Sequence, residues 1–317
     1  MGILLYQSII NFSLGIIDSI MKTTFLALSL FVFFHLPISS ASSVSANEQI
    51  TDPASPSPLI PMKSIKQLCL DIGQKLGSVD KQDCLKQGLT SDGGRSTEGY
   101  HLAYKVYPPL AGKRPLGKVL LMGGIHGDEY SAVSIMFKWM DKLNQYHSGL
   151  FHWTVIPNLN PDGLLQKKSQ RQNARGVDLN RNFPSKNWDA LALKYWKERT
   201  YKNPRRYPGP SSLSEPETIW FTETINRFSP DVIIAVHAPH RLVDFDGSIN
   251  APKRLGNLQL RLLGTYPGSL GNYAGVDLNI PVVTVELASA GIMPTDAEIS
   301  RMWVDIVRWL RKEIPRK

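Results

Sequence analysis

Three short stretches of this chain hold the side chains that hydrolysis at a metal needs. Gly123-Gly124-Ile125-His126-Gly127-Asp128-Glu129 follows an apolar run and sets an imidazole and a carboxylate three residues apart. His237 closes a second apolar run, 111 residues after His126. Glu286 closes a third, Val282-Val283-Thr284-Val285. Two imidazoles and a carboxylate are ligands that a catalytic zinc takes, with one position left for water. A lone His-x-x-Glu is a weak signal, and a histidine that ends a buried strand is often structural. The three residues alone therefore leave the metal reading open.

To meet, they need strands that end at a common point. Apolar segments at 102–106, 118–122, 153–157, 232–236 and 282–286 read as strands, and their continuous hydrophobicity predicts burial on both faces. Amphipathic segments at 132–143, 215–228 and 296–314 read as helices, the second opening on Ser214-Glu215-Pro216-Glu217 with proline in its first turn. Strands that alternate with helices predict a three-layer α/β domain, without internal repeat, over residues 93–317. In such sheets ligands gather at the carboxyl ends of strands, where His126 and His237 would meet.

The amino-terminal part is of a different kind. From Met21 a short basic start, a run of apolar residues through Ile38 and the small residues Val44-Ser45-Ala46 have the pattern of a secretory signal peptide. Residues 1–46 are read as that signal, with translation open to starting at Met21. The apolar run is shorter than a membrane span requires, so no stable membrane span is expected; an uncleaved anchor is the alternative. Residues 47–92 hold a Pro/Ser linker, then two amphipathic stretches expected to form a small helical appendage. Cys69 and Cys84 lie there, 15 residues apart, and in an oxidising compartment they could pair; two separate thiols are the alternative. The 36 Lys and Arg against 27 Asp and Glu leave a net charge of +9, which favours an anionic partner. The basic residues are dispersed and no nucleic-acid reader motif accompanies them, so nucleic acid is not expected.

The middle of the chain narrows the reading. Asn160-Pro161-Asp162-Gly163 is followed by Arg171-Gln172-Asn173-Ala174-Arg175-Gly176-Val177-Asp178-Leu179-Asn180-Arg181-Asn182-Phe183. With the His126 motif, with Gly94-Arg95-Ser96-Thr97-Glu98-Gly99, and with Gly268-Ser269-Leu270-Gly271 and Thr284-Val285-Glu286-Leu287, this resembles the zinc carboxypeptidases of the M14 family, in the order of that family's motifs. The compact forms most resemble its murein peptide amidase branch. The resemblance implies a three-layer α/β/α zinc carboxypeptidase-like fold with a central mixed sheet, carrying the helical appendage at its amino terminus. It implies one Zn2+ held by His126, Glu129 and His237, and Glu286 as the general base that takes a proton from activated water. Arg171 would stabilise the oxyanion, with Arg175 as its rival, and Asn180 and Arg181 would hold the substrate's terminal carboxylate. Tyr266 would cap the substrate, Tyr273 being the other candidate. Asp128 stands where digestive members of the family carry arginine, so the outer substrate contacts must differ. Leu270, near the base of the specificity pocket, argues against a requirement for a plain basic side chain.

The expected function is an exported, periplasmic or otherwise extracytoplasmic zinc metallocarboxypeptidase or amidase. Its partner is a peptidoglycan-derived peptide, cut at the γ-D-glutamyl-diaminopimelate bond or a nearby one. Two alternatives stand beside it. An N-acyl amino acid deacylase of the aspartoacylase and succinylglutamate desuccinylase type shares the two-His, one-Glu site but does not characteristically show Asn-Pro-Asp-Gly with the long motif after it. A wall-binding protein with structural zinc would have no use for Glu286. His101, His147 and His152 read as structural or solvated, His240 as pocket lining, and Trp303 and Trp309 as a core stripe.

Overall fold

A computed structural model describes residues 61–314. The signal segment 1–46, nearly all of the Pro/Ser linker, and Arg316 and Lys317 lie outside the described residues. Eight strands form one sheet: β1 (Lys105–Tyr107), β2 (Lys118–Gly123), β3 (His152–Ile156), β4 (Val232–His237), β5 (Leu242–Asp246), β6 (Arg254–Leu255), β7 (Leu258–Leu260) and β8 (Val282–Glu286). The helices are α1 (Ile65–Lys75), α2 (Lys81–Leu85), α3 (Tyr130–Tyr146), α4 (Pro161–Leu165), α5 (Trp188–Glu198), α6 (Pro216–Phe228) and α7 (Asp296–Glu313). The strand order is β1-β3-β2-β4-β8-β5-β7-β6. The central four, β3-β2-β4-β8, run parallel, while β1 and β5 are antiparallel to their neighbours β3 and β8. The sheet is mixed, as expected.

Alternate residues of the central strands feed two cores. Val119, Leu121, Ile234, Val236, Val283 and Val285 pack with Trp139 of α3 and Ile306 of α7 on one face. Leu120, Met122, Ile233, Ala235 and Val282 pack with Phe221 and Ile225 of α6 on the other. Helix, sheet and helix thus make three layers, and the apolar strands are buried on both faces because both are covered. Trp309 is buried in the first core with Trp303 packed against it, so the two tryptophans are core residues. Thr295 and Glu298 close a capping box that starts α7, and Pro216 occupies the first turn of α6.

The appendage is real and packed. Cys69 of α1 and Cys84 of α2 are joined by a disulfide. Leu68, Ile72 and Val79 share a buried cluster with Val133 and Phe137 of α3 and Leu164 of α4. Among the described residues no helix is long and apolar enough to cross a membrane.

The segment expected as a strand at 102–106 is regular only from Lys105. Tyr104 instead makes an isolated bridge with Thr90, and His101, just before the segment, makes one with Arg95. The strands β5, β6 and β7 and helix α5 escape sequence reading. β5 carries Asp244 and Asp246 among its apolar residues, and β6 and β7 are two and three residues long, too short for a periodicity to show.

Candidate metal centre and cleft

His126 and Glu129 occupy the tight connection from β2 into α3, and His237 is the last residue of β4. Because β2 and β4 are adjacent and parallel, their carboxyl ends deliver both histidines to one place. The loop that carries His126 is held by backbone contacts. At Gly127 a Cβ would run into the backbone of Gly163 and Leu164, so only glycine lets the His126 loop lie against α4. Asn160 caps α4, accepting from Gly163 N at 2.8 Å, and its Nδ2 donates at 3.2 Å to both Ile125 O and Arg171 O. One amide therefore fixes the residue before His126 and the backbone of Arg171. Asp162 in turn accepts from Ser96 Oγ and Glu98 N, which anchors the 94–99 motif.

The three donors converge. Ligand atoms of His126, Glu129 and His237 all lie within 4.8 Å of one another, and all three residues are buried. His126 Nδ1 is 2.8 Å from Glu129 Oε1, and His237 Nδ1 is 3.2 Å from Glu129 Oε2. Burial opposes ionisation of Glu129, yet the two histidines beside it hold its pKa below the ordinary glutamate value. His126 Nε2 faces Asp178 Oδ1 at 3.2 Å, which turns Nδ1 toward the shared point. Two imidazole nitrogens and a carboxylate on one buried point, with an outer carboxylate orienting one ring, are a donor set suited to zinc.

Glu286 ends β8, paired in parallel register with His237 on β4. It is buried, and its Oε2 accepts from His240 N at 3.3 Å. Asp178 is fully buried and gathers the rest of the site. It accepts from Arg171 Nε at 2.8 Å and from Asn180 N at 3.1 Å. Burial works against its charge, but the Arg171 guanidinium and the His126 bond hold its carboxyl well below the usual range. Arg171 Nη1 reaches to 3.1 Å from His126 Nδ1. Arg175, by contrast, is exposed and donates to Ser214 O, away from this cluster. Of the two arginines, Arg171 lies against His126 and Asp178, and Arg175 does not.

Asn180 and Arg181 sit on the single turn after Asp178. Asn180 Oδ1 accepts from Leu270 N at 2.9 Å, which joins this turn to the 268–271 motif. The Arg181 guanidinium lies 4.5 Å from the centre of the Tyr266 ring. Burial lowers the Arg181 pKa to about 10, with Asp178 opposing and Arg171 adding to the effect. Tyr266 is half-buried beside that arginine, whereas Tyr273 is buried in the second core, stacked on Phe183. Leu270 is buried in the same core. Asp128 pairs with Arg205, a side chain supplied by the 204–206 turn.

Of the remaining histidines, His147 Nε2 donates to Pro108 O at 2.7 Å, and His152, at the start of β3, meets Phe228 edge-on. Asp178, inside the 171–183 motif, is a site residue that the motif's spacing does not single out. Its signal was an aspartate between Val177 and Leu179, an apolar setting that called for a partner.

A family model described as zinc carboxypeptidase matches residues 90–252. The chain belongs to the zinc carboxypeptidase family. It is therefore a metallo-hydrolase, and zinc is its metal. Glu286 lies beyond the matched stretch, so its place beside the donors rests on the β4–β8 register. The chain is 29% identical over 230 residues to murein peptide amidase A of Escherichia coli (strain K12), covering 70% of this chain and 91% of that protein. It is 29% identical over 201 residues to murein peptide amidase A of Vibrio campbellii, covering 61% of this chain and 77% of that one. A crystal structure of thrombin activatable fibrinolysis inhibitor shares the fold, with a TM-score of 0.57, 18% identity, and coverage of 85% of this chain and 78% of that one.

Proposed function

We propose that this enzyme is exported and hydrolyses peptidoglycan-derived peptides at the amide between γ-D-glutamate and diaminopimelate. The observation that carries the hydrolytic reading is the pairing of Glu286 with His237 at the ends of β8 and β4, which brings a buried carboxylate beside the three donors. The choice of peptidoglycan peptides is supported by likeness to murein peptide amidases.

His126, Glu129 and His237 would hold the zinc. When bound, zinc acidifies water and polarises a carbonyl oxygen. Glu286 then takes the proton from the attacking water on a carboxylate oxygen. It hands that proton to the amide nitrogen of the departing residue as the C–N bond breaks. Arg171, braced through Nε by Asp178, offers its Nη groups to the oxygen that gains charge during attack. Asn180 and Arg181 bind the terminal carboxylate, Arg181 through its planar fork, and the Tyr266 ring covers that arginine and closes over the bound residue.

Purified zinc-loaded protein incubated with muropeptides and followed by mass spectrometry tests this directly. Release of diaminopimelate from L-alanyl-γ-D-glutamyl-diaminopimelate, abolished by chelator and restored by zinc, is the expected result. Turnover of N-acyl amino acids alone would overturn the reading in favour of a deacylase. Unchanged hydrolysis by Glu286→Gln would remove the mechanism.

A further inference from the structure

Helix α4 has only five residues, too few to hold a helix unaided, so its place is set by what grips it. At its amino end Asn160 ties Ile125 O and Arg171 O, and the Gly127 backbone lies against Gly163 and Leu164. Carbonyls at and just past its carboxyl end are met from outside the helix. Gly163 O accepts from Gln170 N at 3.0 Å, Leu164 O from Ser169 Oγ at 2.5 Å, and Gln166 O from Lys75 Nζ at 2.6 Å. Lys75 Nζ also donates to Lys167 O at 3.2 Å. Lys75 is the last residue of α1, so this ammonium belongs to the disulfide-bonded appendage.

A second thread runs from the same ammonium toward the metal centre. Tyr130 directly follows Glu129, and its ring centre lies 6.0 Å from Lys75 Nζ. Its hydroxyl donates at 2.9 Å to Ser169 Oγ, two residues before Arg171. Leu164 is buried with Leu68 and Ile72 of α1, and Tyr130 and Leu165 pack against the same cluster. The appendage thus holds α4 through Leu164 and Lys75, while α4 supports the His126 loop at Gly127 and its cap Asn160 fixes the Arg171 backbone. Lys75 is half-buried, and its bonds to two carbonyls are charge-assisted, stronger than neutral ones.

We propose that Lys75 is a positioning residue for zinc binding and hydrolysis. It fixes α4, and through α4 the His126 loop and Arg171, so the appendage is a working part of the metal centre. The part that concerns turnover rests on the proposed peptidase reading; the part that concerns zinc does not.

The test compares full-length wild type with Lys75→Met, which keeps an apolar stem and loses the donors, and with Lys75→Arg, which keeps donors and charge. Ser78→Ala is the control: it removes the bond from Ser78 Oγ to Ser134 Oγ, an appendage contact that does not involve α4. Chelator competition measures zinc affinity at a temperature where circular dichroism shows each metal-free protein folded. kcat and KM are measured on L-alanyl-γ-D-glutamyl-diaminopimelate. Lys75 acts one layer beyond the groups that touch the ligands, so Lys75→Met should weaken zinc binding by about 3- to 10-fold. It should lower kcat by about 10-fold with KM within about twofold, since misplacement costs the reaction more than binding. Lys75→Arg should recover most of both losses, and Ser78→Ala should stay within about twofold of wild type. Zinc affinity unchanged in Lys75→Met overturns the proposal whatever the turnover, and so does an equal loss in Ser78→Ala, which would mark a general loosening of the appendage. If Lys75→Met does not fold, Lys75→Gln takes its place under the same criteria. If wild type leaves the peptide uncut, the peptidase reading fails. Lys75 is then judged on zinc alone: weaker binding in Lys75→Met, recovered in Lys75→Arg, upholds its role.

Discussion

Asp178→Asn is a nearly isosteric change at the most connected side chain of the site. The carboxylate accepts from Arg171 Nε at 2.8 Å, His126 Nε2 at 3.2 Å and Asn180 N at 3.1 Å, in full burial. An amide keeps one accepting oxygen and turns an N–H group toward the other side. Whichever way it flips, either the Arg171 Nε–H or the His126 Nε2–H faces a donor. Hydrogen bonds to charged groups contribute about 1.5–3 kcal/mol each, and a buried donor left unmet adds its own cost. Asp178→Asn should therefore destabilise the metal-free protein by roughly 3 kcal/mol, a fall of about 6–12 °C in Tm for a chain of this size. Freed from its outer carboxylate, His126 should bind zinc about 10- to 100-fold more weakly. Thermal unfolding without metal and chelator competition for zinc measure the two effects. Zinc affinity within twofold of wild type, together with an unchanged Tm, would refute the role assigned to Asp178.

Glu286→Gln should retain zinc in metal analysis while hydrolysis falls by about 100- to 10,000-fold, and a zinc-loaded variant with normal turnover would exclude Glu286 as base. Replacing both Cys69 and Cys84 by serine removes a cross-link over 15 residues and should cost about 3 kcal/mol in denaturant unfolding. Glu217 is fully buried, accepts from Thr97 N and Asn173 Nδ2, and burial raises its pKa from 4.5 to about 7. The folded state holds that proton more tightly than the unfolded chain does, so its contribution is full below about pH 4.5 and is lost as pH rises through about 7. Unfolding titrations from pH 4 to 8 should show Glu217→Gln abolishing that decline, an effect on the order of 3 kcal/mol; a wild-type decline that persists in the variant would count against it.

Much of the site was readable because its residues end apolar strands. His237 and Glu286 follow runs that could only be buried, and parallel pairing of those runs puts their ends together. The preference for Arg171 over Arg175 had only the resemblance behind it. Arg171 and Arg175 are four residues apart in one loop, and only the fold turns one onto Asp178 and the other outward to Ser214. Tyr266 and Tyr273 were likewise alike in sequence until the second core claimed Tyr273. Strands as short as β7 are defined by their pairing with β5 and β6, not by periodicity, and so escape sequence reading.

The disulfide hairpin has a consequence for the order of events as the chain emerges into the compartment where it folds. Its seat consists of Val133, Phe137 and Leu164, and Lys75 Nζ closes onto Gln166 O at 2.6 Å and Lys167 O at 3.2 Å. Chains fold from the amino terminus as they emerge, so both cysteines appear well before the surface that will cover them. Oxidation between Cys69 and Cys84 needs no later residue, since the two are near neighbours in sequence. Until Leu164 and residue 167 follow, however, the seat for the hairpin's apolar side is incomplete. Weakening the seat, as Phe137→Ala would, prolongs that interval and turns a local cross-link into an opportunity for bridges between chains.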